Sequence, residues 1–172
     1  EAKVKEVVRA YNHAYGLDDE TSWMDWGLLE RHADVHRFVK LLAARRVLRD
    51  VEHERRRESL AELMTRARKA WHGVTLHQPD WSDASHSIAL TAFLAQDGHA
   101  VHVLLNAYWE ALEFELPPTE SGAPWRRWID TALDPPEDIV PWQDARAVPG
   151  PRYRAHARSS VVLYAASPPA GG

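Results

Sequence analysis

The sequence predicts a mainly β chain, an antiparallel two-layer β-sandwich preceded by two or three helices. Three observations carry this. Between Ser87 and Pro117 three β-prone apolar runs follow one another: Ile88 to Leu94, Val101 to Asn106 and Ala111 to Leu116. In the third run Leu112, Phe114 and Leu116 alternate with Glu113 and Glu115, the two-residue period of a strand with one face buried. Asp97-Gly98 between the first two runs is a hairpin signal, and no strand–helix–strand alternation argues for a parallel sheet. Three strands in succession read as a meander whose apolar face needs a second layer.

From the start of the chain, Val4, Val7, Val8 and Tyr11 fall at helical spacing and predict a short amphipathic helix. Asn12 to Gly27 has no regular period and sets acids among Tyr15, Trp23 and Trp26, a polar-aromatic loop. Leu28 to about Arg49 is the clearest helix. Val35, Phe38, Val39, Leu41, Leu42 and Leu48 recur at three- and four-residue steps, with Arg31, Asp34, Arg37, Lys40 and Arg45 on the charged face. That stripe is wide enough to need a partner. Asp50 to Arg57 is nearly all charge and reads as a solvated linker, and Ser59 with Glu62 forms a capping box that opens a short helix ended by Trp71-His72-Gly73. In that helix Met64 reads as core.

Val74 to His77 is a candidate brief strand, and Gln78 to His86 a loop built on Pro79-Asp80-Trp81-Ser82-Asp83. After the meander, Thr119 to Pro124 is a turn-rich linker. Trp125 to Thr131 reads as a strand with a bulge near Arg126-Arg127, because Trp125 and Trp128 break the period of two. Pro135, Pro136 and Pro141 make Asp134 to Val148 an irregular excursion. Tyr153 to Ala157 and Ser160 to Ala165 complete an inventory suited to a small sandwich.

Composition narrows the function. A chain of 172 residues, 45% hydrophobic and 27% charged, is globular in character. A net charge of −4 gives no footprint for nucleic acid or an anionic membrane, and no apolar run reaches the roughly 18 residues of a membrane span. The lack of cysteine excludes disulfide and thiolate chemistry and suits a reducing compartment, read as cytoplasmic. No glycine fingerprint, phosphate loop or nucleophile elbow is present, so no cofactor is expected. The ten histidines are scattered. His32 and His36 share a helix face without a third ligand, and His99 and His102 lack a partner motif, so no metal is expected. Carboxylates stand beside aromatics only at Asp18-Asp19 and at Asp80 and Asp83, where a general acid would lack the dry pocket it needs. No catalytic residue is assigned.

Asn12 to Trp26 resembles the Asn-Asn-Ala-Tyr-Cys-Gln-Asp-Asn-Glu-x-Ser-Trp-x-Asp-Trp stretch of isoamylase-type glycogen debranching enzymes, members of the α-amylase superfamily that hydrolyse α-1,6 branch points. The likeness continues through Trp71-His72-Gly73-Val74, Gln78 to Asp83, Ser85-His86-Ser87, Leu105 to Pro117 and Trp125 to Thr131, in the same order as the C-terminal β-sandwich of bacterial members. Gly16, Leu17 and Asp19 depart from the usual Cys, Gln and Asn.

The resemblance implies that residues 1–57 are a helical remnant of the last part of a (β/α)₈ barrel, with its final loop and helix. Residues 58–172 would be a sandwich of the α-amylase C-terminal domain type. The family's catalytic carboxylates lie upstream of the matched loop, so the chain is expected to be an accessory domain, inactive alone. Its expected partners are an α-glucan met through the parent enzyme and the barrel, or a second copy, on the 30–49 helix. The resemblance places Tyr15, Asp18, Asp19 and Trp23 at the outer glucan cleft. As a glucan-binding module, the alternative, the chain would use Trp71, Trp81 and Trp109 as platforms, with Asp80 and Asp83 beside Trp81 to bond hydroxyls. A free-standing protein-interaction module is the third reading.

Overall fold

The computed structural model describes residues 23, 25–52, 67–94 and 99–166. They fold into two helices and eight strands: α1 (Leu28–Arg31), α2 (Ala33–Glu52), β1 (Arg68–His72), β2 (Ser87–Leu94), β3 (His99–Asn106), β4 (Leu112–Glu115), β5 (Arg126–Asp130), β6 (Arg146–Ala147), β7 (Arg152–Ala155) and β8 (Ser159–Ala166). The expected mainly β, two-layer antiparallel architecture behind helices is the one observed. A six-stranded sheet runs β1-β2-β3-β8-β5-β6, and β4 with β7 forms a second sheet. No helix among the described residues is long and apolar enough to cross a membrane.

The core lies between the sheets. Leu104, Val161 and Leu163 from the large sheet meet Phe114 from β4, with Trp125 and Leu116 filling the edge. Ala89, Ala100, Ala155 and Ala165 line the same space, and these short side chains leave room for the two large rings at interior density. β4 buries Phe114 completely and leaves Glu113 exposed, as its alternation requires. The bulge falls between Arg127 and Ile129, at Trp128. Beyond β5 the excursion packs back on the strand: Ile139 bridges Ile129 and is fully buried. Tyr153 of β7 ties the two sheets together, donating at 2.6 Å to Asp130 Oδ2 at the end of β5. Burial and this bond push the Tyr153 phenol well above its ordinary range.

Four expectations change. The meander loses its third strand, because β4 leaves β3 and pairs with β7. The Asn106-to-Ala111 segment turns the chain onto the opposite layer, where Phe114 finds a covered face. Arg68–His72 is an edge strand on β2 and not a helix end, since Ala70 and His72 gain ladder partners in Thr91 and Ala89. Val74 to His77 is a turn, with Gln78 N bonded to Thr75 O and His77 in the left-handed region at φ 60. The single helix from Leu28 is two: His32, at φ −121 and ψ 42, ends α1, and α2 then runs through Asp50 to Glu52, into the segment expected to be linker. The amphipathic helix at Val4 to Tyr11, the capping box and the Asp97-Gly98 turn lie outside the described residues.

The chain divides into two compact units, Glu1–His36 and Arg37–Gly172. In the first, Trp26, Leu28, Leu29 and Val35 are exposed. In the second, Val39 and Leu42 are exposed on α2, while Arg37 is held by the excursion. Its Nη1 donates to Ile139 O at 2.9 Å and Pro136 O at 3.3 Å, and its Nη2 pairs with Asp138.

Candidate functional site

One end of the six-stranded sheet gathers the aromatics that the sequence singles out. The end of β1, the start of β2 and the end of β3 lie side by side there, since His72 pairs with Ala89 and Ser87 with Asn106. Two loops rise from it, 73–86 and 107–111.

The first loop carries Trp81, 65% exposed, which meets Trp71 of β1, 44% exposed, edge to face with ring centroids 5.5 Å apart. Asp80 does not point at this pair as a free hydroxyl ligand: its Oδ1 accepts Ser82 N–H at 2.9 Å, and that bond holds its carboxyl below the usual range. Asp83 is exposed on the same turn. The loop is closed tightly at its base. A Cβ on Gly73 would lie 2.3 Å from Gln78 O, so no larger residue fits. Leu76 N donates to Glu115 Oε2 at 3.1 Å and Glu115 N to Val74 O at 2.9 Å, pinning the loop to β4.

The second loop carries Trp109, 61% exposed, with Tyr108 beside it at 4.0 Å and His86 at 6.2 Å from both rings. Asn106 organises it. This side chain is 2% exposed and spends its amide on Glu110 O (2.9 Å), His156 O (2.8 Å) and Ala155 O (3.3 Å), while its Oδ1 accepts Tyr108 N–H at 3.0 Å. Every polar atom is used, which is what a buried amide requires.

His72 plays the corresponding part for the first loop. It is 1% exposed, accepts His77 N–H at Nδ1 (2.9 Å) and bonds Thr91 Oγ1 through Nε2 (2.9 Å). Thr91 bonds His102 Nδ1 at 2.8 Å. Burial and the nearby His77 lower the His72 pKa, and burial with His72 lowers that of His102 to about 3. Neither imidazole is charged at neutral pH.

Of the residues expected at a site, Trp81, Asp80, Asp83 and Trp109 therefore share one end of the sheet. Trp23 is 60% exposed in the other unit, and Tyr15, Asp18 and Asp19 lie outside the described residues. Sequence reasoning missed His72, Thr91, His102 and Asn106 as organisers. The available signal was a polar residue at a core-facing strand position, at 91, 102 and 106. Among the described residues no group of three metal-ligating side chains could hold an ion.

The fold is a two-layer antiparallel β domain with open tryptophan rings at one end of its larger sheet. Residues 70–166, more than half of the chain, match the family model "Isoamylase 1-3, C-terminal", and the chain belongs to that family. It corresponds to the C-terminal region of isoamylase-family glycoside hydrolases. It is 28% identical over 162 residues to isoamylase 3, chloroplastic, of Oryza sativa subsp. japonica, covering 90% of this chain and 18% of that protein. Identity is also 28% to isoamylase SU1, chloroplastic, of Zea mays (75% of this chain, 16% of that protein) and to isoamylase 1, chloroplastic, of Oryza sativa subsp. japonica (75% and 15%). The chain thus spans less than a fifth of the length of these relatives.

These relatives overturn the cytoplasmic expectation, since all are chloroplastic proteins. The physical reason is plain: a lack of cysteine speaks to redox chemistry and carries no compartment address.

Proposed function

We propose that this chain is the accessory sandwich of an α-1,6-glucan debranching hydrolase and that the cutting carboxylates belong to a barrel outside it. The observation that supports this is the co-linear isoamylase match combined with the environment of the loop acids. Asp80 caps its own turn and Asp83 is solvated, so neither has the dry setting that raises a general acid's pKa. In this reading residues 1–57 are the last part of the barrel and 58–172 the sandwich. The barrel, or a second copy, covers the apolar side chains of the 30–49 helix, and Tyr15, Asp18, Asp19 and Trp23 face the outer glucan cleft. The test is reducing-end release from a branched glucan: the purified chain releases none. Turnover abolished by Asp80→Asn or Asp83→Asn would overturn the proposal.

A second reading is favoured by the three open rings of Trp71, Trp81 and Trp109, which offer flat apolar faces to sugar rings. In it the sandwich also holds an α-glucan chain while the barrel works. Retardation of the chain in a glycogen gel, lost in Trp81→Ala, supports it; equal mobility with and without glycogen ends it.

A further inference from the structure

The polar groups buried under the first loop form a chain whose first links are fixed in direction from one end. A backbone amide only donates, so His77 N–H makes His72 Nδ1 an acceptor. Neutral His72 then carries its proton on Nε2 and donates to Thr91 Oγ1. Thr91 has one hydroxyl proton, and His102 Nδ1 at 2.8 Å accepts it. His102 is left with its proton on Nε2, which is buried and has no hydrogen-bond partner among the described residues, beside the Trp125 ring at 5.5 Å. Reversing the His72–Thr91 link would put the His72 proton on Nδ1, against the His77 amide.

Burying two imidazoles and a hydroxyl costs desolvation that an apolar trio would avoid, and the three bonds of the relay offset part of that cost. What it reaches outside the sheet is one backbone group, the amide of His77, at the only described non-glycine residue with positive φ besides Arg158. That residue sits in the loop that sets Trp81 against Trp71.

We infer that His72, Thr91 and His102 are positioning residues: a proton-ordered relay that clamps the loop 73–86 to the sheet, with protonation of His72 Nδ1 as its release. Once Nδ1 carries a proton it can no longer accept from His77 N–H, and two donors face each other. The groups around the relay act in the same sense. The His77 ring lies 4.8 Å from His72 and repels an added charge there, and the His102 ring stands 5.7 Å away on the other side of the relay. Glu115, the acid bonded to the same loop, is engaged by Leu76 N–H and by Arg152 at 3.2 Å. The inference concerns the loop itself and stands whether or not Trp81 meets a sugar.

The test uses the full 172-residue chain. Long-range ¹H–¹⁵N spectra at neutral pH should show His72 and His102 both as the Nε2–H tautomer; Nδ1–H on His72 overturns the relay. Hydrogen exchange of the His77 amide should rise at least tenfold in Thr91→Val and return to the original rate in Thr91→Ser, with the Val161 amide of β8 unmoved. Equal rates at His77 in all three proteins overturn it. Should Thr91→Val fail to fold, the unaltered chain carries the same measurement from pH 7 to pH 4, corrected for the intrinsic pH dependence of exchange. Selective loosening at His77 is expected, and loosening shared evenly with Val161 overturns it. Gel retardation by glycogen is read separately, so a failed glucan reading leaves the relay intact.

Discussion

Two groups of tryptophans share this sandwich and have opposite surroundings. Trp125 is 5% exposed, donates its indole N–H to Pro117 O at 2.7 Å and packs with Phe114 and Leu104. Trp142 stacks on Tyr164 at 3.6 Å and meets Trp128 edge to face at 5.0 Å. At the other group Trp71, Trp81 and Trp109 leave their faces to solvent. The difference teaches that an indole on this fold is structural when it is buried against the core with its N–H given to a backbone acceptor. It is available for contact when the outer face of edge strand β1, or a loop beyond the sheet's end, carries it. The loops themselves are not loose. Each is tied to a buried polar side chain, His72 in one case and Asn106 in the other, so rings that face water are presented from a fixed base.

This contrast can be broken by experiment. The largest effect is expected for Trp125→Ala, which leaves a large cavity and a carbonyl without its donor; unfolding by urea should show a loss of about 3–5 kcal/mol. A loss under 1 kcal/mol would erase the distinction between the groups.

Acid should act next. His102 titrates at about 3 in the folded chain against an ordinary value of 6.5, and His72 is also lowered, so the unfolded chain takes up protons first as pH falls. The stability is intact above about pH 6.5 and declines from there toward pH 3, by about 1.4 kcal/mol per pH unit for His102. Replacing His102 by Gln should flatten that slope in a pH series of urea melts.

Third, Tyr153→Phe removes the donor to buried Asp130 and should cost about 1.5–3 kcal/mol, since the acceptor is a carboxylate. Smallest of all, Trp81→Ala should change stability by no more than about 0.5 kcal/mol, because its ring is mostly in water already. A cost as large as that of Trp125→Ala would show that the exposed group is structural after all.

Much of this was legible in the residues. Alternation in Leu112 to Leu116 fixed which side chains go inward, and Phe114 and Leu116 are buried as that period requires. Failure of the period at Trp128 located the bulge to within a residue or two. Trp71-His72 misled because a short run with charges before it fits a helix end as well as an edge strand. Only the pairing of Arg68–His72 with β2 decides between them.

The sequence by itself determined the class of this protein, most of its strands and its isoamylase-like order of motifs, because period, turn chemistry and co-linearity are local properties. Tertiary structure alone decided that β4 crosses to the second sheet, which tryptophans face water, and that His72, Thr91 and His102 touch. The physical reason is register. The hydrogen-bond ladder pairs Thr91 directly with His102 and sets His72, opposite Ala89, diagonally across from Thr91, and nothing in their spacing along the chain encodes that meeting.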